Sequence, residues 1–204
     1  ITVSVWRQEA SFLPDLKDGS RKVLELHTSK FAPVRMYPVG SKLKRQFGHL
    51  RVVIQERVAA RYDRFVILTH EEKPFWKGFS NLSVIPNPLS FKPQKRADAS
   101  AHRVMIAGRM EYVKNFPELL QIWARVAPDF PDWQLHIYGD GWMLDALKNK
   151  ADVLGIAPQV IFEGAVSDME TAYASSSIYV MTSHFEGLPM VLIEAQSVGL
   201  PAVS

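Results

Sequence analysis

The sequence predicts an α/β protein of two domains, each built on a parallel β-sheet. Strand-like apolar runs alternate with helix-like runs over residues 102–204, and a looser alternation covers residues 1–85. A Pro-rich segment, 86–101, separates the two regions and is expected to be a linker. Strands that alternate with helices are typical of parallel sheets covered by helices, and 204 residues suffice for two modest domains.

The first region contains three strand-like runs, at 1–6, 22–27 and 64–69. Between the last two lies a basic stretch, 41–62, in which apolar residues recur at steps of three and four. These residues are Leu43, Phe47, Leu50, Ile54 and Val58. The spacing predicts an amphipathic helix.

The second region is more regular. Strands are expected at 102–107, 133–138, 160–162, 178–182 and 201–203. Helices are expected between them at 117–126, 143–154, 168–174 and 189–198. Ligands of such sheets bind at the carboxyl ends of the strands, so the residues that follow each strand are the candidates for function.

Charge is distributed unevenly along the chain. Residues 1–100 hold 18 Lys and Arg against 9 Asp and Glu, a net +9, whereas residues 101–204 hold 6 against 12, a net −6. The basic region favours an anionic partner, although a soluble basic surface explains it as well. The absence of cysteine excludes disulfides, Cys-ligated zinc and thiol nucleophiles. The histidine spacing argues against a metal site.

The first candidate motif, GRMEYVK, directly follows the strand predicted at 102–107. Gly108 allows a sharp turn, and Arg109 and Lys114 place two cations at the end of the sheet, which suits a diphosphate. The alternative is an ordinary turn with two solvated cations.

The second candidate contains Glu186 and Glu194, separated by seven residues. Glu186, Gly187 and Leu188 precede a predicted helix, whose free N–H groups and dipole attract anions. Glu194 lies among apolar neighbours, so its carboxylate needs hydrogen-bond donors. Sugar or ribose hydroxyls would serve; a cap acid and a salt-bridged helix acid are the alternative.

Two further features have weaker support. The run IYGDGWML with Glu163 approximates a dinucleotide-binding motif, but Leu144 stands where its third glycine belongs. His27 ends a predicted strand and is either an acid–base group or a structural histidine. The basic helix around Lys42, Lys44, Arg45 and Arg51 could lie on an anionic membrane surface, and no nucleic-acid motif accompanies the charge.

Four segments carry a family resemblance: GRMEYVK, LHIYGDGWMLDALK, VIFEGAV and HFEGLPMVLIEAQSVGLPAVS. Together they resemble glycosyltransferase family 4, retaining enzymes of the GT-B fold with two Rossmann-like domains. The resemblance covers residues 64–204 well and is weaker over 1–63. It implies an acceptor-side domain over 1–85, a linker over 86–101 and a donor-binding domain over 102–204, with both domains incomplete in this chain.

The resemblance also implies roles for individual residues. Arg109 and Lys114 would hold the donor diphosphate, and Glu186 would contact the donor sugar. The backbone amides of Gly187 and Leu188 would bind sugar and phosphate, and Glu194 would bind ribose. The donor site would further include Gly108, Gly139, Gly164 and Val166, and His27 would stand near the donor sugar.

The implied function is transfer of a sugar from a nucleotide sugar, expected to be a UDP-sugar, to a glycan or lipid-linked acceptor, without a metal or other cofactor. The implied location is the cytoplasm, at the inner face of the membrane, without nucleic acid. The alternatives are a nucleotide-sugar epimerase, a non-catalytic binding module and, last, a dinucleotide-dependent oxidoreductase. Because both domains are expected to be incomplete, we expect weak nucleotide binding and little turnover; the oligomeric state stays open.

Overall fold

A computed structural model describes residues 1–37 and 40–204 of the chain. These residues form two compact units. The first comprises residues 1–88 and 185–188, and the second comprises residues 89–184 and 189–204. In the described part of the chain, no helix is long and apolar enough to span a membrane.

The first unit is a four-stranded parallel sheet with helices between its strands. Its elements are β1 (Thr2–Val5), β2 (Lys22–Leu26), α1 (Ala32–Arg35), α2 (Lys42–Ala59), β3 (Arg64–Ile67) and β4 (Leu82–Val84). The strands lie in the order β1-β2-β3-β4. Leu24, Phe65 and Trp76 are at the centre of the core, where the Phe65 and Trp76 rings pack edge to face at 4.6 Å.

Helix α2 forms where the sequence predicts a helix, but of the five apolar residues that predict it only Val58 is buried. Leu43, Phe47, Leu50 and Ile54 are all exposed. The buried face instead consists of Gly48, Val52, Gln55, Val58 and Ala59. The reason is the close approach of α1, because a Cβ atom on Gly48 would lie 2.5 Å from the Pro33 carbonyl oxygen. Only a glycine fits at this crossing.

The second unit has the alternating pattern that the sequence predicts. Its elements are β5 (Arg103–Ala107), α3 (Phe116–Val126), β6 (Gln134–Tyr138), α4 (Leu144–Val153), β7 (Val160–Gly164), α5 (Met169–Ala174), β8 (Ile178–Val180), α6 (Met190–Ser197) and β9 (Ala202–Val203). All paired strands are parallel, in the order β7-β6-β5-β8-β9.

Alternate residues of β5 face opposite sides of this sheet, and each side has its own core. Val104 and Ile106 pack in a cluster with residues of α3 and α4. Met105 and Ala107 pack in a cluster with residues of α5 and α6. The sheet is therefore covered by helices on both faces, which explains its nearly continuous apolar strands.

Residues 86–101, expected to be a linker, contain no helix or strand. The part from Leu89 onward belongs to the second unit. The Ala97 amide donates to the Val198 carbonyl at 2.9 Å, and the Asp98 amide donates to the Ala174 carbonyl at the same distance. These bonds attach the segment to the ends of α5 and α6.

Candidate functional site

The carboxyl ends of β5 and β8 border the point where the strand order of the second unit reverses. From β5 the chain proceeds to β6 and β7 on one side, and then returns to β8 on the other. Loops diverge at such a point and leave a crevice, which is the usual ligand site of open α/β sheets. The GRMEYVK motif follows β5 and therefore lies at this crevice.

Backbone hydrogen bonds join the loops that follow β5, β6 and β7. The Met110 amide donates to the Asp140 carbonyl at 2.8 Å, and the Gly139 amide donates to the Gly164 carbonyl at 2.7 Å. Three of the glycines predicted for the donor site thus lie close together, Gly108 and Gly139 in adjoining loops and Gly164 at the end of β7, with φ of 155°, 124° and 74°.

The glycines of the dinucleotide-like run have a structural explanation. A Cβ atom on Gly139 would lie 2.0 Å from the Gly108 carbonyl oxygen, and one on Gly141 would lie 2.6 Å from the Met110 carbonyl oxygen. Both glycines allow the loop after β6 to pack against the loop after β5. Leu144 begins α4 and packs against the core below.

Lys114 lies across Gly108. A Cβ atom on Gly108 would lie 3.0 Å from Lys114 Cε, so the aliphatic part of the lysine follows the turn that the glycine makes. Lys114 ends a short 3₁₀ helix, Tyr112–Lys114, and the left-handed Asn115 (φ 53°) then starts α3. Arg109, in contrast, has a side chain that is 81 % exposed, with Nη1 3.2 Å from Glu111 Oε1. The structure brings both predicted cations to one turn.

The segment after β8 is hydrogen-bonded to the same turn. The Thr182 hydroxyl donates to the Lys114 carbonyl at 3.1 Å, and the His184 amide donates to the Val113 carbonyl at 2.8 Å. The Ser183 hydroxyl between them is buried and has no hydrogen-bond partner among residues 1–37 and 40–204. Thr182 and Ser183 are not predicted as site residues from the sequence, because nothing in the sequence shows that β8 lies next to β5.

Glu194 is buried in α6, 8 % exposed, and its donors are side chains of the chain itself. It accepts from the Ser90 hydroxyl at 2.7 Å and from the Tyr173 hydroxyl at 2.8 Å. Burial, and then the adjacent carboxylate, raises the pKa of Tyr173 far above its ordinary value, which keeps that hydroxyl protonated as a donor. Ser90 and Tyr173 thus supply donors from the chain itself, and the binding of ribose hydroxyls by Glu194 stays a prediction.

Val166 borders an open groove of about 580 Å³ beside β7 and α5. Glu163, also on this groove, is the extra residue of a β-bulge, because Ile137 pairs with Phe162 and Tyr138 pairs with Gly164. Glu163 Oε1 lies 2.6 Å from Nδ1 of His136, a residue only 3 % exposed. Burial lowers the pKa of His136, and the contact with Glu163 opposes this effect.

The loop that contains Glu186, Gly187 and Leu188 groups with the first unit. A Cβ atom on Gly187 would lie 2.6 Å from the His27 carbonyl oxygen, so glycine is required there. His27 follows β2, and its Nε2 lies 3.1 Å from Glu25 Oε2. Two residues predicted separately from the sequence, Gly187 and His27, are therefore neighbours.

No group of three or more His, Asp and Glu side chains within residues 1–37 and 40–204 could hold a metal ion. Arg109, Glu111 and Lys114 are the charged residues of the turn that follows β5.

Comparison with known proteins identifies the family. Residues 90–204 match the family model described as glycosyl transferases group 1. The chain belongs to this family. The match covers more than half of the 204 residues and includes both candidate motifs, as the resemblance implied.

Individual relatives support the same assignment. An uncharacterized glycosyltransferase of Haemophilus influenzae is 36 % identical over 169 residues, which are 81 % of this chain and 46 % of that protein. The amylovoran biosynthesis glycosyltransferase AmsD of Erwinia amylovora is 33 % identical over 152 residues, 70 % of this chain and 43 % of that protein. The group 1 chain described here thus spans less than half the length of these two relatives.

A solved structure supports the fold. A mutant of S. aureus TarM, crystallised with Fondaparinux, alpha-GlcNAc-glycerol and UDP, superposes with a TM-score of 0.75 at 17 % identity, over 91 % of this chain and 36 % of TarM. The α/β fold with parallel sheets is therefore the GT-B fold that the sequence predicts.

Proposed function

We propose that this chain contains the donor-binding domain, and part of the acceptor-side domain, of a group 1 glycosyltransferase in polysaccharide biosynthesis. It would transfer a sugar from a UDP-sugar to a glycan or lipid-linked acceptor, with retention of configuration. The observation that carries the proposal is Lys114, held across Gly108 at the crevice between β5 and β8 in the same turn as Arg109. The UDP bound by TarM supports the choice of nucleotide.

The chemistry follows from charge. As the glycosidic bond of a nucleotide sugar breaks, negative charge builds up on the departing diphosphate. A cation that is already in place stabilises this charge more in the transition state than in the ground state, and so it accelerates the reaction. We propose that Lys114 and Arg109 supply these cations without a metal, and that Glu186 and the amides of Gly187 and Leu188 hold the sugar.

Glu194 has a modified role in this proposal. Its carboxylate already accepts from Ser90 and Tyr173. We propose that it fixes α6 against α5 and the segment at Ser90, and that ribose hydroxyls use only its remaining lone pairs. Val166 lines the groove beside β7, and we propose that Gly139, Gly164 and Val166 border the base.

Calorimetric titration tests the donor site. UDP, GDP, ADP and NAD are titrated into this chain, and into Lys114→Ala and Lys148→Ala variants. Lys148 is an exposed lysine of α4 and serves as the matched control. We expect UDP to bind, Lys114→Ala to weaken binding by about 1–3 kcal/mol, as for a lost charged hydrogen bond, and Lys148→Ala to leave it unchanged.

Three outcomes would contradict the proposal. Binding of NAD alone would favour the oxidoreductase alternative, and equal losses in the two lysine variants would remove Lys114 from the site. Release of UDP from a UDP-sugar in the absence of any acceptor would favour an epimerase over a transferase.

A further inference from the structure

The outward face of α2 has no partner within the described residues of the first unit. Leu43, Phe47, Leu50 and Ile54 are between 47 and 68 % exposed. Their steps of four, three and four residues place them within about 60° of one another on the helix surface, in a line about 16 Å long. We call these four residues the α2 stripe.

The α2 stripe cannot turn inward. The opposite face of α2 is packed, with Val52 and Ala59 buried and Gly48 against the Pro33 carbonyl oxygen. A rotation of the helix would bring side chains larger than glycine to a crossing where even a Cβ atom would lie 2.5 Å from backbone. The outward orientation is therefore fixed by α1.

Cations flank the α2 stripe on both sides. Lys44 and Arg51 lie on one side, and Lys42 and Arg57 lie on the other, all exposed. No acidic residue occurs in the sequence from 42 to 55. The first acid, Glu56, is ion-paired with the buried Lys30, which is on the packed side of the helix. The exposed surface of α2 thus combines an apolar line with uncompensated positive charge.

We propose that α2 docks on an anionic phospholipid bilayer, with the α2 stripe inserted at the level of the headgroups and its flanking cations on the lipid phosphates. An apolar face with Lys and Arg along its borders is the arrangement of helices that lie in a membrane interface. A second copy of this chain fits the surface poorly, since it would bring two basic faces together. The proposal does not depend on the identity of the donor.

Vesicle co-sedimentation tests the proposal. Wild-type chain is mixed with vesicles of phosphatidylcholine alone, or with about 30 % phosphatidylglycerol to provide the anionic charge. We expect at least about tenfold stronger binding to the anionic vesicles. A Phe47→Ser/Leu50→Ser variant should lose at least about tenfold, and a Lys44→Glu/Arg51→Glu variant about twentyfold or more. The matched control, Ile122→Ser/Val126→Ser, removes two exposed apolar residues of α3.

A fluorescent label at the α2 stripe shows whether lipid or protein covers it. The chain has no cysteine, so Leu50→Cys and Val153→Cys each offer one site for an environment-sensitive fluorophore. We expect a blue shift at position 50 with anionic vesicles only, and none at position 153, which is exposed on α4.

Either of two results would overturn the proposal. One is a position 50 label that is already shielded without lipid, which would mean that another part of the protein or a second copy covers the α2 stripe. The other is a Phe47→Ser/Leu50→Ser variant that binds anionic vesicles as well as the wild type.

Discussion

Gly139 shows how a single backbone position builds the candidate site. Its φ of 124° belongs to the region that favours glycine, and the Gly108 carbonyl oxygen occupies the place of a Cβ atom at 2.0 Å. The loops after β5 and β6 can approach each other only because neither side chain intervenes. Lys114 crosses Gly108 in the first of these two loops.

We therefore predict that Gly139→Ala is more destabilising than Gly155→Ala. Gly155 also has a positive φ, 70°, but nothing lies within 4 Å of its Cβ position. Gly155→Ala should cost about 1–2 kcal/mol from backbone strain alone, and Gly139→Ala should add about 1–3 kcal/mol from the clash. Urea unfolding of both variants measures the difference, and equal costs would mean that the loops separate easily.

Among the secondary-structure elements, β6 and the edge strand β7 are joined by a contact that includes a titratable side chain, that of His136. His136 of β6 is buried, and Glu163 of β7 is at the bulge that faces it. Burial lowers the pKa of His136, so the unfolded chain takes up its proton at a higher pH than the folded chain does. The free energy of unfolding should then fall as the pH drops below about 6.5.

A His136→Gln variant tests this expectation. The glutamine amide can still donate to Glu163 but does not titrate. Between pH 7 and pH 5, calorimetry should show a smaller fall in Tm for the variant than for the wild type, because one source of proton uptake on unfolding is gone. Parallel Tm curves for the two proteins would show that His136 does not contribute to the pH dependence.

The elements also show how far the sequence predicts this molecule. Strands and helices of the second unit are buried on regular faces, so their apolar periods place them to within one or two residues. The short α1 and β4 were missed, since four residues that include Pro33 and three half-buried residues carry no periodic signal. The helix α2 was predicted, but which of its faces is buried was decided by Gly48 and the distant Pro33.

In the candidate site, too, the sequence predicts some residues and not others. Arg109, Lys114 and Gly108 were predictable, because a strand end and a short motif place them together. The partners of Glu194 were not, because Ser90 lies 104 positions away and Tyr173 lies 21 positions away along the chain. Contacts of this range follow from the order of strands and helices in the folded unit, which the spacing of residues does not reveal.

In the whole molecule, charge is divided along the chain. The basic excess lies in residues 1–100, which contain the α2 stripe, and the acidic excess lies in residues 101–204, where Arg109 and Lys114 are two of only six cations. The binding of a diphosphate to this otherwise acidic unit would therefore depend on very few cationic side chains. We expect these two cations to account for most of the salt dependence of diphosphate binding.

This distribution of charge predicts which segments of the chain UDP should protect from hydrogen exchange. At about a hundred times its Kd, UDP should stabilise the molecule by about 2.7 kcal/mol. Protection from hydrogen exchange should concentrate in the segments after β5, β6, β7 and β8, at 108–114, 139–141, 163–166 and 182–184. The same concentration of UDP should protect these segments less in Lys114→Ala, because the weaker binding lowers its stabilising effect. Protection confined to α2, or equal in wild type and variant, would place the nucleotide elsewhere on the molecule.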